Sequence, residues 1–87
     1  MNAWDEVLSR VHSAVDTEDF RRWFAPTLYA SDIGSQVTVW VPSEAIRRYL
    51  TSHFQIQIDR ALEAIGRAGT QVRFVVVDLG DDEEEPD

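Results

Sequence analysis

The sequence predicts an α+β domain in which helices pack on one three-stranded sheet, in the order α-α-β-β-α-β. Apolar residues recur at three- and four-residue steps near the amino terminus and over residues 46–65, the period of amphipathic helices. Residues 37–41 alternate between valine and other side chains, the period of a half-buried strand. Pro26 lies directly before the predicted hairpin and Pro42 directly after it. The hydrophobic pattern therefore changes between helical and strand period at residues that break regular structure.

The first helix is predicted from a stripe near the amino terminus, with Asp5 and Glu6 in its first turn. Its members are Trp4, Val7, Leu8, Val11, Ala14 and Val15. Asp16 is a suitable cap for a short second helix that carries Phe20, Trp23 and Phe24 on one side. Pro26 is expected to end this helix, because its ring disfavours helical geometry at Ala25 and it lacks an amide hydrogen.

The two middle strands are predicted at residues 27–31 and 37–41, with Leu28 and Ala30 on one face of the first. The turn residues 32–35 between them make the pair a hairpin. Ser43 is a good cap for a third helix, which is expected to run without interruption to Gly66. The last strand, residues 72–77, is apolar on both faces near its end, which predicts a central strand or an edge strand covered by a helix.

Size and composition bound the function of the chain. Its 87 residues form one domain, and 44% hydrophobic residues suffice for a modest core. There is no cysteine, no apolar run of membrane length and no basic start followed by an apolar stretch. We therefore expect a soluble cytoplasmic domain without disulfides.

The net charge of −8 is concentrated at the carboxyl terminus, because seven of the sixteen acids lie in the last ten residues. We expect a domain over residues 1–78 and a disordered acidic tail over residues 79–87, either a solubilising end or the start of a linker. A tail that mimics nucleic acid is the alternative. All eight basic residues are arginine.

The residue pattern does not indicate a catalytic site. His53 lies on the apolar stripe of the third helix, where a core or boundary histidine is expected, and His12 falls on the outer side of the first helix. No nucleophile elbow or metal-binding helix pattern occurs. We expect no enzyme activity, no cofactor and no metal.

Nucleic-acid binding is the alternative raised by residues 66–69, a Gly-x-x-Gly sequence of the kind that clamps single strands in KH domains. In KH domains that loop joins two helices, whereas here it joins a helix to a strand. A helix cap followed by a turn also explains both glycines. The arginine pairs at 21–22 and 47–48 could add a weak basic patch, or lie on solvated helix faces.

Several motifs taken together, over about residues 3–78, resemble the amino-terminal domain of the bacterial replication initiator DnaA. They are Trp4-x-x-Val7-Leu8, Phe20-x-x-Trp23-Phe24-x-Pro26, Val37-x-Val39-x-Val41-Pro42-Ser43, Tyr49-Leu50, the Phe54/Ile58/Leu62 stripe and Val72-Arg73-Phe74. The resemblance implies a KH-like α+β domain for protein–protein contacts in initiation. The implied partners are other initiators, the replicative helicase and regulators of initiation. ATP binding and origin recognition belong to later domains of that family, and no Walker A sequence occurs here.

The resemblance also implies the partner-binding residues. Trp4 matches a self-association position, although an aromatic end to the core stripe explains it equally well. Asp19, next to Glu18, matches the acidic position that faces the helicase, or else supplies a first-turn charge. The family pattern Pro-Asn-x-Phe becomes Pro42-Ser43-Glu44-Ala45, so Ala45 replaces the phenylalanine that contacts partners.

Trp40 is a possible substitute anchor, because strand alternation turns it away from the valine face, unless a helix covers it. We expect Trp4→Ala or Asp19→Ala to weaken association while the fold stays intact. The alternatives are a stand-alone regulator that competes for the initiator's partners and a KH-like binder of single strands.

Overall fold

The computed structural model describes residues 2–77 and shows an α+β fold with four α-helices and a mixed three-stranded sheet. The elements in chain order are α1 (Ala3–Ala14), α2 (Thr17–Asp19), a π-helical segment (Phe20–Phe24), β1 (Leu28–Asp32), β2 (Gln36–Val41), α3 (Glu44–His53), α4 (Gln55–Ala64) and β3 (Gln71–Val76). The predicted fold class is confirmed. The predicted acidic tail lies outside the described residues, and no helix within residues 2–77 has the length and hydropathy of a membrane span.

The helix starts follow the predicted caps. The side chain of Asp16 accepts a hydrogen bond from the Glu18 amide, and that of Ser43 accepts one from the Ile46 amide. Each bond satisfies an amide that has no partner within the first turn of its helix. The second helix ends before Pro26 as predicted, but Ala25 keeps helical dihedral angles (φ −59°, ψ −34°). The missing amide hydrogen of Pro26, and not the geometry at Ala25, is therefore what stops this helix.

The prediction of one uninterrupted third helix is wrong. At Phe54 the backbone leaves helical geometry (φ −122°, ψ 13°) and divides the segment into α3 and α4. The amide of Phe54 still bonds to the Leu50 carbonyl, and its own carbonyl accepts from Ile58, so the break is a kink within a continuous path. The Phe54 ring is buried at this kink and meets the Phe24 ring edge to face at 5.1 Å.

The sheet order is β1-β2-β3, with β1 antiparallel and β3 parallel to the central strand β2. The last strand, β3, was predicted to be either central or at an edge, and it lies at an edge of the sheet. A register shift between Tyr29 and Ser31 puts a bulge in β1, which interrupts the predicted alternation through Ala30. β3 pairs with β2 without interruption over its whole length.

The core lies between the helices and one face of the sheet. Its largest fully buried side chains are Trp4, Phe24, Leu50, Ile58, Leu62, Val7, Val11, Val37, Val39 and Val41. The three valines of β2 that were predicted to face inward do so. Because the helices described in residues 2–77 cover only this face, the other face of the sheet is open in this part of the chain, and Trp40 lies on it with 41% of its surface exposed.

Candidate partner-binding face

Three aromatic rings stack at the surface between the π-helical segment and α3. The rings of Trp23 and Tyr49 are parallel within 2° and their centroids lie 3.8 Å apart. His53 adds a third ring, 4.1 Å from Tyr49 and tilted by 30°. Trp23 and Tyr49 are half-buried and His53 is exposed, so this ring ladder (Trp23, Tyr49 and His53) has one side in the protein and one in solvent.

The exposure of His53 corrects its prediction as a core or boundary residue. It follows Tyr49 by one helical turn and packs along the outer edge of the ladder, while Leu50 and Phe54 supply the buried side of α3. His12 is exposed as predicted, and its ring contacts Phe20 edge to face at 4.5 Å.

Two of the predicted partner-binding positions lie next to the ring ladder. Asp19 precedes Trp23 by four residues and Ala45 precedes Tyr49 by four, so each lies about one helical turn from the same pair of stacked rings. Both residues are exposed. A shallow depression along α3, lined by Ala45, Arg48, Tyr49, Ser52 and His53, continues the ladder. We call Glu18, Asp19, Ala45 and the ring ladder together the helix face.

The charges around this face are mostly paired. Glu18 accepts a hydrogen bond from Arg21 at 3.4 Å, and Glu44 pairs with Arg47 and, at 3.7 Å, with Arg48. The hydrogen bond from Arg47 holds the pKa of the Glu44 carboxyl below its ordinary value. Within residues 2–77, Asp19 makes no ion pair. Its carboxylate is thus the acid of the helix face that is not held in an ion pair.

Trp4 lies in the core and not at the surface. Only 1% of its surface is exposed, its ring meets Phe74 edge to face at 5.8 Å, and its Nε1 donates a hydrogen bond to Thr27 Oγ1 at 2.9 Å. The Thr27 hydroxyl in turn donates to the Phe24 carbonyl oxygen. Burial on all sides supports the core interpretation of Trp4 and leaves no surface of the ring for a direct contact in this monomer.

Trp40 lies on the open face of the sheet, on the other side of β2 from the core. The register places it beside Leu28 of β1 and Val75 of β3, so the three side chains form a row across the sheet. Leu28 is 48% exposed. No helix among the described residues covers Trp40, and the strand separates it from the helix face.

The glycine loop at residues 66–69 is tied to the β1–β2 turn. Arg67 donates to both carboxylate oxygens of Asp32 at 2.8 Å and to the carbonyl oxygen of Gly34 at 3.1 Å. The two bonds from Arg67 to the carboxylate, with one from the Gly34 amide, lower the pKa of Asp32 from 3.8 to about 2. Gly66 and Gly69 have φ of 83° and 90°, as a cap and a turn require. The one cation of this loop is therefore held by an intramolecular acid.

Sequence reasoning missed the ring ladder. Phe20, Trp23 and Phe24 were placed on one side of their helix, yet Phe24 is buried while Trp23 turns to Tyr49. The available signal was the four-residue spacing of Ala45, Tyr49 and His53, which puts them on one strip of α3. Among residues 2–77, no group of His, Asp and Glu is arranged to hold a metal ion.

Comparison with known proteins identifies relatives of the chain. The family model for the DnaA N-terminal domain matches residues 1–64, most of the chain. The chain is also 26% identical over 76 residues to the chromosomal replication initiator protein DnaA of Chlorobaculum tepidum. That alignment covers 86% of this chain but only 15% of the relative, so the chain spans a small part of the length of the curated relative it matches.

Proposed function

Because the chain belongs to the DnaA N-terminal domain family, we propose that it is a non-catalytic protein–protein interaction module of replication initiation. The proposed partners are the replicative helicase, other initiator molecules and regulators of initiation. As a module of chromosome replication it would act in the cytoplasm. A stand-alone regulator that competes for the same partners would use the same surface.

The observation that carries this proposal is the partly exposed ring ladder next to Asp19 and Ala45. Stacked aromatic rings present a row of ring edges to a partner at a small entropic cost, since their rotamers are already fixed by packing. Aromatic residues are also enriched among the side chains that dominate binding energy. The exposed carboxylate of Asp19 beside these rings would orient a partner that carries a complementary cation and speed its association.

The helix face also suggests the chemistry of its partner. Ala45 does not protrude, so the α3 depression that it lines would receive a side chain from the partner. The rings favour an aromatic or aliphatic group there, and Asp19, one helical turn from Trp23 on the same helix face, favours a cation beside that group. We therefore propose that the partner presents an apolar side chain flanked by a basic residue.

The experiment that tests the proposal measures binding of helicase and of full-length initiator to Asp19→Ala and Trp23→Ala. We expect each change to weaken binding of at least one of these partners by roughly tenfold or more, as removal of a hot-spot residue does. Asp59→Ala is the matched control for Asp19→Ala, because Asp59 is also an exposed helical acid but lies on α4.

Circular dichroism on each variant checks that the fold is kept. Unchanged binding of all partners by folded Asp19→Ala and Trp23→Ala would contradict the assignment of the helix face. Equal losses in Asp59→Ala would show that the effect is one of overall charge.

A further inference from the structure

The outer edge of β3 presents backbone groups that no described strand pairs. β3 is the last strand in the order β1-β2-β3, so it has β2 on one side only. The amides of Gln71 and Val77 donate to the Ser35 and Val41 carbonyls, so the odd-numbered residues of this strand face β2. Since the direction alternates along a strand, the amide and carbonyl groups of Val72, Phe74 and Val76 point outward.

Within residues 71–77, this edge has few of the devices that usually prevent strands from pairing with other chains. Such devices include bulges, prolines and inward-pointing charges. β1, the opposite edge, has a bulge between Tyr29 and Ser31. β3 has regular register over residues 71–76 and no proline, and its one charged residue, Arg73, is exposed on the open face.

We propose that β3 pairs antiparallel with β3 of a second copy of this chain, which joins the two sheets into one of six strands. A two-fold axis perpendicular to the sheet keeps the helices of both copies on the same side, because paired residues must share a face. The proposal deepens the self-association named in the proposed function. It depends on the β3 edge alone and not on the helix face.

The outward groups select one register. If Phe74 lies opposite Phe74 of the partner subunit, then Val72 lies opposite the partner's Val76, and all three outward residues of each copy form hydrogen-bonded pairs. A shift of two residues in either direction leaves one of the three without an outward partner in the strand. In the full register Arg73 lies opposite the partner's Val75 on the open face, so no like charges meet across the interface.

The charge distribution also favours the antiparallel arrangement. Seven acids follow Val77 in the sequence. Antiparallel pairing places the two Val77 residues at opposite ends of the joined strands, about 20 Å apart at about 3.4 Å per residue. This separation exceeds the Debye length of about 8 Å at physiological salt, whereas a parallel pair would bring the two acidic segments together.

Sedimentation velocity over a concentration series, up to ~1 mM, tests for the dimer. We expect weak association, because one strand pair buries less than the roughly 1,600 Å² of a standard interface. Val76→Pro removes an outward amide hydrogen, which an edge strand tolerates, and should abolish the dimer. Val76→Ala keeps that hydrogen and is the matched control. A wild-type chain that is monomeric throughout the series would overturn the proposal.

A charge exchange tests the register. Val75→Lys places two lysines opposite the two Arg73 side chains and should weaken the dimer roughly tenfold. Adding Arg73→Glu should restore association, while Val75→Thr should leave it unchanged. If Val75→Lys has no effect, or if Arg73→Glu does not restore association, the register is wrong. None of these positions lies on the helix face, so the Val76→Pro variant should still bind helicase. Measuring helicase binding by this variant therefore tests the proposed function separately from the dimer.

Amide hydrogen exchange in the concentrated wild-type protein gives a second readout. Protection should rise with concentration at Val72, Phe74 and Val76 and stay constant at Arg73 and Val75, whose amides already face β2. A dimer that protects other amides and leaves these three unchanged would place self-association elsewhere and overturn the proposal.

Discussion

Trp4 and Trp40 show how the same residue type serves opposite purposes in this domain. Trp4 is 1% exposed and hydrogen-bonds to Thr27, whereas Trp40 is 41% exposed on the open sheet face. At the start of an amphipathic helix a tryptophan fits both a core and an interface, so the sequence could not distinguish the two. The strand alternation of Trp40 was more informative, because period two assigns each side chain to one face.

Trp4→Ala is now expected to destabilise the fold, in contrast to the expectation from the sequence that it would change association alone. Removing a buried tryptophan should lower the free energy of unfolding by about 3–5 kcal/mol, through lost apolar burial and the cavity left behind. Urea denaturation measures this change. Trp40→Ala is the matched control and should change stability by much less, since its ring is substantially solvated.

A Trp4→Ala variant as stable as the Trp40→Ala variant would contradict the burial of the ring. Trp4→Phe isolates the hydrogen bond, because it keeps most of the apolar ring and loses the Nε1 donor. We expect it to cost about 1–2 kcal/mol, less than the alanine change.

The ion pair between Asp32 and Arg67 should make the folding stability of the domain depend on pH. The pKa of Asp32 is about 2 in the folded chain, against 3.8 for the free side chain, so folding favours its charged form. This contribution is fully present above about pH 4 and is lost as the pH falls from about 4 to about 2. We expect wild type to be more stable than Asp32→Asn at neutral pH.

Thermal unfolding of wild type and of Asp32→Asn, measured between pH 7 and pH 2, checks this pH dependence. The difference in melting temperature should hold above about pH 4 and shrink steadily below it. A constant difference down to pH 2 would mean that the Arg67 guanidinium does not hold the carboxylate in solution.

At the scale of elements, α3 depends on its cap. The Ser43 hydroxyl oxygen accepts a hydrogen bond from the Ile46 amide nitrogen at 3.2 Å. Glu44 lies in the first turn, where its negative charge interacts favourably with the positive end of the helix dipole. We expect Ser43→Ala to lower the free energy of unfolding by about 1 kcal/mol, measured by urea denaturation. Thr51→Ala is a suitable control, because the Thr51 hydroxyl bonds only to carbonyls within α3 and caps no amide. Equal effects of the two changes would contradict a capping role.

The limits of prediction also lie at this scale. Caps and periods placed most elements within one or two residues, because a cap is a local hydrogen bond and a period reflects one buried face. The kink at Phe54 carried no local signal, since no glycine or proline occurs there and the apolar stripe continues across it. The bulge in β1 depends on pairing with β2, which local sequence does not specify.

At the scale of the whole molecule, the candidate site was only partly predictable. Glu18, Asp19 and Ala45 were named from the resemblance, but the ring ladder beside them depends on a contact between residues 26 positions apart in the chain, Trp23 and Tyr49. No periodicity within one element reports such a contact. The fold further separates the helix face from Trp40, since the sheet lies between them, and so divides the predicted partner-binding residues between two surfaces and the core.

The distribution of charge over the molecule predicts that the chain does not bind single-stranded nucleic acid. Four of the eight arginines, Arg21, Arg47, Arg48 and Arg67, pair with an acid of the same chain. The other four are divided among α1, the π-helical segment, α4 and β3, and the net charge of the chain is −8. Phosphate binding needs several free cations, and its affinity rises as salt is lowered. Fluorescence anisotropy of a labelled oligothymidine should therefore show no binding at low ionic strength.

Asp32→Ala supplies the sharpest control for this experiment, because it releases Arg67 in the glycine loop and removes one negative charge. If the loop is a masked phosphate site, this variant should bind the oligonucleotide with an affinity that falls with salt, and Asp32→Ala/Arg67→Ala should not. We expect neither to bind, since one freed arginine cannot replace a basic surface. Salt-dependent binding by the wild-type chain would instead favour a single-strand binder over a protein-interaction module.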